Sequence, residues 1–240
     1  MFPYDAALIA AAETQPQSIP EVIDTLQKID ALCIDGDGLK WFNQLYLEVT
    51  QAVESRVASG GFNDPAWLAE LDIQFAALYF SALETGIQGA VAPGCWRAML
   101  SVRNDARIAR IQFALAGVNA HINHDLPEAI VATSQARGTT PGHWTPQYED
   151  YTALNATLDP LIEQAKTMLH VRLRGDPLPP ASHLEDLLAA WGLSTAREKA
   201  WNAAEILWHL RDAPPLAAGF MDSLDGLTTV AGKALLVPVP

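Results

Sequence analysis

The sequence has few cysteines and few basic residues. Cys33 and Cys95 are its two cysteines among 240 residues, and neither stands in a CxxC or other metal-binding spacing. Two cysteines do not form a disulfide framework in a chain of this length, so we expect reduced thiols and a cytoplasmic location. The 15 Lys and Arg residues against 28 Asp and Glu give a formal net charge of -13. Because an acidic surface repels phosphate backbones and anionic lipid, we expect neither a nucleic-acid nor a membrane partner.

Long apolar runs are also missing. No stretch approaches the roughly 20 apolar residues that a membrane span needs. The N-terminal segment lacks a basic region, and Asp5 interrupts its apolar stretch, which argues against a secretory signal. Half of the residues are nevertheless hydrophobic. That is enough for a continuous core and excludes a long disordered protein.

The common signatures of catalysis are absent as well. The sequence contains no GxGxxG, P-loop, GxSxG or HExxH motif, and it lacks the ExxH pair of carboxylate-bridged di-iron bundles. Neither cysteine has a neighbouring His or Arg cluster that would activate a thiol nucleophile. Any function must therefore be sought in single polar residues on apolar helices.

Helical signals recur along the whole chain, whereas strand signals are almost missing. Capping patterns at Ser18 and at Asp64-Pro65 predict helices toward Ala31 and Thr85, and residues 39–58 place apolar side chains at helical spacing. Further helices are predicted to start near Cys95, Asn104, Tyr148 and Ser194, and beyond Pro214.

These elements predict an all-α fold, an irregular multi-helix bundle. At 240 residues the chain has the length of one domain, and we expect a single domain over residues 1–240. The GDPLPP break at 175–180, followed by a capping box at 182–185, allows a separate C-terminal helical lobe over 181–240. The brevity of the break favours one packed unit.

The most informative helix contains the stretch ALAGVNAHINHDLPEA. His121 and Asp125 are four residues apart and lie on the same face of the helix. Small apolar residues precede them on that face. Pro127 then limits or kinks the helix. An imidazole beside a carboxylate is a structural hydrogen bond, a general acid–base pair or two ligands of a metal. Spacing alone leaves the three interpretations open. His124 lies on a neighbouring face and is expected to be partly solvated.

A second polar residue, Asp72, interrupts an aromatic and aliphatic stripe. A carboxylate in such a place needs a partner, so Asp72 is either a salt bridge between helices or a functional group. Arg197, whose stem lies near Trp201, is the expected counter-ion of Asp72 or Asp125.

A metal site is a further hypothesis. Glu205 and His209 repeat the spacing of four between a carboxylate and an imidazole. If three helices converge, a mixed imidazole and carboxylate site suits zinc, iron or manganese better than calcium. Its ligands would be His121, Asp125 and Asp72, with Glu205 and His209 as further candidates.

The loop at 138–147, GTTPGHWTPQ, has two interpretations. It is a lid over a cleft or, as we prefer, a surface loop that Trp144 anchors.

The segment GVNAHINHDLPEA resembles a family of bacterial helical proteins known as domain of unknown function 5995. The segments FNDPAWLAELDIQFAALYFSALE and AREKAWNAAEILW share this resemblance, which covers about residues 38–210. It implies a helical fold and a shared site, but no activity. Carried over residue by residue, it implies a role for Asp72, His121, Asn123, Asp125, Arg197 and Trp201.

A fainter local similarity is to zinc-dependent phospholipase C and related nucleases, which use an HxxxD ligand pair before a proline-containing turn. His121, Asp125 and Pro127 fit that pattern. The sequence departs from it in lacking an amino-terminal Trp ligand, further HxxxD or HxxxE pairs and a secretion signal.

Two functions follow as hypotheses. The first is an enzyme that acts on a small, largely apolar molecule in an inter-helix cavity. Its class would be a hydrolase, a lyase or cyclase, or a metal-dependent oxygenase. Asp72, His121 and Asp125 would serve as acid–base groups or metal ligands, while Asn123, Arg197 and Trp201 would bind the substrate. The second is a non-catalytic ligand-binding or protein-interaction module in which the same groups form a buried polar lock. The apolar stripes account for burial within one chain and do not require a partner chain.

Overall fold

The computed structural model describes residues 2–161, 163 and 192–238, and within these ranges the regular structure is helical, without a strand. This confirms the all-α prediction. The helices are α1 (Asp5–Ala12), α2 (Ile19–Leu32), α3 (Gly38–Ala58), α4 (Pro65–Gln88), α5 (Gly94–Leu100), α6 (Arg110–Ala120), a π-helix (His121–Asp125), α7 (Leu126–Arg137), α8 (Pro146–Ala153), α9 (Leu193–Leu210) and α10 (Pro214–Leu235). Residues 155–161 are helical as well.

The capping signals in the sequence operate as expected. The Ser18 hydroxyl accepts the backbone N–H of Glu21 at the start of α2, and the Asp64 carboxylate accepts that of Trp67 at the start of α4. These side chains satisfy N–H groups that the first helical turn leaves unpaired. Helix α4 continues beyond the predicted Thr85 and ends at Gly89, which adopts a left-handed φ of 78°. Glycine takes this conformation without strain.

One predicted helix start was wrong. The helix expected from Asn104 begins at Arg110, because the Asp105 carboxylate binds both the backbone N–H and the guanidinium of Arg107 and so favours a turn. The start predicted near Tyr148 agrees with the structure to two residues, since the helix begins at Pro146, where Thr145 caps it. The break at 175–180 and the capping box at 182–185 lie outside the described residues.

Helix α6 lies at the centre of the protein, because every residue from Ile111 to Ala120 is buried. Its small residues allow other helices to come close. A Cβ atom on Gly117 would lie 2.3 Å from Cγ of Phe42, so α3 and α6 meet at a distance that only glycine permits. Since α6 leads directly into the π-helix, this packing fixes the position of His121 and Asp125.

Helices α9 and α10 pack against the rest of the protein. Asn119 of α6 donates to the Thr228 carbonyl at 2.9 Å, and Leu193, Trp201 and Leu236 belong to the same hydrophobic cluster as the residues of α1 to α7. The described part of the predicted C-terminal lobe therefore shares the main core. No helix in the described ranges has the length and hydropathy required to cross a membrane.

Candidate functional site

The centre of the candidate site is a turn of π-helix from His121 to Asp125. The N–H of Leu126 donates to the carbonyl of His121, five residues back instead of four. Pro127 provides a local reason, since its ring has no N–H and clashes with the carbonyl four residues before it in a regular α-helix. Single π-turns inside α-helices occur frequently at functional sites.

The Asp125 carboxylate is surrounded by three N–H donors and is 2% exposed. Its Oδ2 atom accepts from Nε1 of Trp96 at 2.9 Å and contacts Nδ1 of His121 at 2.9 Å. Its Oδ1 atom contacts Nδ1 of His124 at 2.7 Å. The pair predicted from spacing is therefore a direct contact, and His124 is a buried third member rather than a partly solvated residue.

The protonation states follow from these contacts. Burial alone raises the pKa of Asp125, but the hydrogen bonds from His121 and His124 outweigh it and hold the pKa below its ordinary value. Burial lowers the pKa of His121 more than Asp125 raises it. An ionised carboxylate only accepts hydrogen bonds, so Nδ1 of neutral His121 must carry the proton and Nε2 keeps a lone pair. Nε2 is buried and has no hydrogen-bond partner among the described residues.

His121 lines a small, mainly apolar cavity between α3, α4, the π-helix and α9. The cavity has a volume of about 60 Å³, which is space for a few waters or a small organic group. Its walls are formed by Phe42, Leu45, Tyr46, Val49, Phe75, Val118, His121, Ile122, Leu158, Leu193 and Arg197. Three charged or titratable side chains, Tyr46, His121 and Arg197, thus border an otherwise apolar space.

Asp72 does not line this cavity, and its link to the cavity wall is the electrostatic effect of its charge on Tyr46. Burial raises the pKa of Tyr46 well above its usual value, and the charges of Asp72 and Asp125 add to this effect, so both carboxylates lie within electrostatic reach of the phenol. Burial, with a smaller contribution from Glu54, raises the pKa of Asp72 to about 7. Its Oδ2 atom is buried and has no hydrogen-bond partner among the described residues.

Arg197 does not pair with either aspartate, contrary to the sequence prediction. Its Nε donates to Oδ1 of Asn155 at 2.7 Å, and its Nη2 donates to the carbonyl of Tyr151 at 2.7 Å. The guanidinium also lies 3.9 Å from the centre of the Tyr151 ring. The carbonyl and the amide near the end of α8 replace the expected carboxylate. Arg197 is 7% exposed and forms no ion pair within the described part of the chain.

Trp201 and Glu205 belong to a neighbouring cluster rather than to the cavity wall. The Trp201 ring packs on Trp67, Tyr148 and Tyr151, and its Nε1 donates to Glu205 at 3.2 Å. His209 is exposed on the surface of α9.

The 138–147 loop is held by His143 instead of Trp144. The His143 ring contacts Glu205 at 2.7 Å and Glu198 at 3.0 Å, whereas Trp144 is 92% exposed. The preferred anchor of this loop was therefore wrong. The imidazole of His143 pairs with two carboxylates, whereas the Trp144 ring is exposed to solvent.

Asn123 faces a different groove, where it donates to Oδ1 of Asn119 at 3.0 Å and borders α9 and α10. The five predicted metal ligands do not form one group. Among the described residues, the His, Cys, Asp and Glu donor atoms that come within 4.8 Å of one another are those of Cys95, His124 and Asp225. The helices do not bring the predicted metal ligands together, because Glu205 pairs with His143 and His209 faces solvent.

Sequence reasoning missed several residues around His121. Phe75 stacks on the imidazole with ring centres 3.4 Å apart, and the Tyr46 ring centre lies 4.6 Å away. Both side chains lie on apolar helix faces. The hydroxyl of a tyrosine among apolar residues could have indicated that Tyr46 belongs to the site. No spacing links Trp96 to Asp125, because their contact joins distant parts of the chain.

The chain matches a known family over most of its length. Residues 19–238 match the Family of unknown function (DUF5995). The chain belongs to this family. The matched range contains every residue of the candidate site, and the match confirms the predicted family. No curated protein and no solved structure matches the chain, so the local similarity to zinc-dependent phospholipase C gains no support. Family membership assigns no reaction.

Proposed function

We propose that this protein is an acid–base enzyme that acts on a small, largely apolar molecule in the cavity beside His121. His121 serves as the general base, and Asp125 orients it. The observation that carries the proposal is the bare Nε2 atom of His121, which is buried without a partner on a ring whose Nδ1 is held by Asp125. A base of this kind is positioned by its carboxylate and remains neutral until it takes a proton.

The cavity supports a substrate with an apolar body and an anionic end. Its walls are mainly aliphatic and aromatic, whereas Arg197 brings a buried positive charge to the same space. The printed hydrogen-bond partners of Arg197 are neutral, and a substrate carboxylate would supply a counter-charge for the buried guanidinium. The net charge of -13 favours a small soluble substrate over nucleic acid or an anionic membrane.

Asp72 is proposed as a secondary group that acts on the site by its charge beside Tyr46 and not by a proton relay, since neither the Tyr46 hydroxyl nor Oδ2 of Asp72 has a hydrogen-bond partner among the described residues. A carboxyl group with a pKa near neutrality changes its charge readily at physiological pH, and the pKa of Asp72 is raised to about 7. We assign no substrate-binding role to Asn123 or Trp201, because both side chains lie outside the cavity wall.

One observation favours the alternative of a ligand-binding module with a polar lock. The Phe75 ring covers His121 in parallel, 3.4 Å between centres, as in a packed core. Under this alternative His121 holds Asp125 and transfers no proton. The two functions differ in one measurable property, which is the reactivity of Nε2.

A small aromatic probe, 5-nitrobenzisoxazole, tests that reactivity directly. A base removes the proton on its C3 carbon, the C–H electron pair forms the nitrile, and the ring N–O bond breaks to release a coloured phenolate. We expect turnover above buffer in the presence of a chelator. The rate should rise with pH through a pKa below 6.5, because burial lowers the pKa of His121.

His121→Gln should abolish this turnover, and Asp125→Asn should reduce it by about a hundredfold or more, since the imidazole loses its orienting acceptor. His209→Gln is the matched control, because His209 is an exposed histidine. A folded wild-type protein with no turnover above buffer, or with turnover unchanged in His121→Gln, would refute the enzyme proposal and leave the binding module.

A further inference from the structure

A second group of reactive side chains lies on the other side of Asp125. Cys95 stands at the start of α5, His124 in the π-helix and Asp225 in α10, and their donor atoms lie within 4.8 Å of one another. Cys95 and His124 are 2% and 7% exposed, and Asp225 is half-buried. Three distant parts of the sequence thus bring a sulfur, a nitrogen and an oxygen donor to one place.

We propose that Cys95, His124 and Asp225 bind a zinc ion. A mixed set of thiolate, imidazole and carboxylate suits Zn²⁺ better than Mg²⁺ or Ca²⁺, which take oxygen ligands. Zinc binds sulfur at about 2.3 Å and nitrogen or oxygen at about 2.0–2.2 Å in a tetrahedron. Ligand atoms around one ion are then about 3–4 Å apart, so a modest contraction of the observed group closes the site.

The surroundings of His124 are those of a metal ligand. Its Nδ1 atom lies 2.7 Å from Oδ1 of Asp125, so the carboxylate orients the ring and leaves Nε2 as the nitrogen for coordination. Histidines that bind metals almost always donate their other ring N–H to such a partner. Asp225 is oriented as well, because its two oxygens accept the backbone N–H groups of Gly94 at 2.8 Å and Cys95 at 2.9 Å.

The charges of the group also favour a divalent ion. A thiol with an ordinary pKa of about 8.5 is mainly protonated at neutral pH, so Cys95 holds a proton when no ion is bound. Zinc binding replaces that proton by a Zn–S bond and releases it to solvent. The ion, one thiolate and the Asp225 carboxylate then sum to zero charge, and the fourth position remains for a water molecule.

Cobalt titration of the untagged full chain tests the site. Co²⁺ takes the same ligands as Zn²⁺, and a cobalt–thiolate bond gives a charge-transfer band in the near ultraviolet. We expect this band to saturate at one ion per chain, to vanish on addition of Zn²⁺ and to be absent from Cys95→Ser. Cys33→Ser is the matched control, because Cys33 is the second buried cysteine and stands outside the group. It should keep the band.

Two further measurements keep the outcome decisive. Zinc should raise the Tm of the wild-type protein and release about one proton per ion at pH 8. Asp225→Asn should weaken cobalt binding tenfold or more while circular dichroism shows an intact fold. The proposal is overturned if folded wild-type protein shows no thiolate band, or if Cys95→Ser retains it. Should Cys95→Ser not fold, the band in wild type and its loss in His124→Gln decide the question.

Discussion

Nδ1 of His121 lies 2.9 Å from Oδ2 of Asp125, while the other oxygen of the same carboxylate contacts His124. One buried aspartate therefore orients two imidazoles that belong to different groups. His121 borders the apolar cavity, and His124 belongs to the cluster with Cys95 and Asp225. The proposed base and the proposed zinc site thus share one carboxylate.

Replacement of Asp125 should strongly destabilise the protein. In Asp125→Ala three buried N–H donors lose their acceptor, and each such loss costs about 1–3 kcal/mol. We expect the free energy of unfolding, measured by urea denaturation at pH 7.5, to fall by about 3 kcal/mol or more. Asp125→Asn keeps one acceptor oxygen and should lose less. Asp222→Ala, at an exposed position of α10, is the control. A loss below about 1 kcal/mol in Asp125→Ala would contradict the hydrogen-bond arrangement.

Asp72 should make the protein less stable as the pH rises. The pKa of this carboxyl is raised from 3.8 to about 7 in the folded state. Between these values the folded protein holds a proton that the unfolded chain has released, so the free energy of unfolding decreases from about pH 4 to about pH 7. A shift of this size corresponds to a contribution on the order of 4 kcal/mol.

Asp72→Asn tests this directly, because the amide resembles the protonated acid and does not titrate. The variant should match the wild type near pH 4 and exceed its free energy of unfolding at pH 8, as measured by urea denaturation at both values. His121 acts in the opposite direction, since its lowered pKa makes the free energy of unfolding fall as the pH drops below 6.5. That effect is present in both proteins and cancels. A variant that is less stable than the wild type at pH 8 would show that the Asp72 carboxylate is paired.

The features that were predicted correctly depend on residues close together in the sequence. Capping residues such as Ser18 and Asp64 determine helix starts through their own backbone contacts, and a spacing of four determines that His121 and Asp125 meet. The contact of Trp96 with Asp125 was not predictable, because it depends on how α5 packs against the π-helix. The partner of Arg197 was predicted wrongly for the same reason, because tertiary packing determines which acceptors lie near its guanidinium. The π-turn itself has a local cause in Pro127, but its hydrogen-bond pattern is not encoded in hydrophobic periodicity.

His143 should titrate above the usual pKa of histidine. The hydrogen bond to Glu198, and after it the charge and hydrogen bond of Glu205, raise the pKa of this imidazole. The ring resonances of His143 in an NMR titration should therefore give a pKa above 6.5, and Glu198→Gln should lower it. Glu48→Gln, on an exposed part of α3, should leave it unchanged. If Glu198→Gln leaves the pKa of His143 at its wild-type value, the loop is held by other contacts.

Two glycine substitutions should change the stability in opposite directions. A Cβ atom at Gly117 would lie 2.3 Å from Cγ of the buried Phe42 ring, so either the ring must shift or α3 and α6 must move apart. Gly117→Ala should therefore lower the free energy of unfolding by about 1–3 kcal/mol, the usual cost of overpacking a core. Gly219 is its matched control, an exposed helical glycine with no atom within 4 Å of an added Cβ. There alanine should raise the free energy of unfolding by about 0.4–1 kcal/mol, because it restricts the unfolded chain. Urea denaturation of both variants measures the difference, and equal effects at the two positions would contradict the close contact of α3 and α6 that places His121.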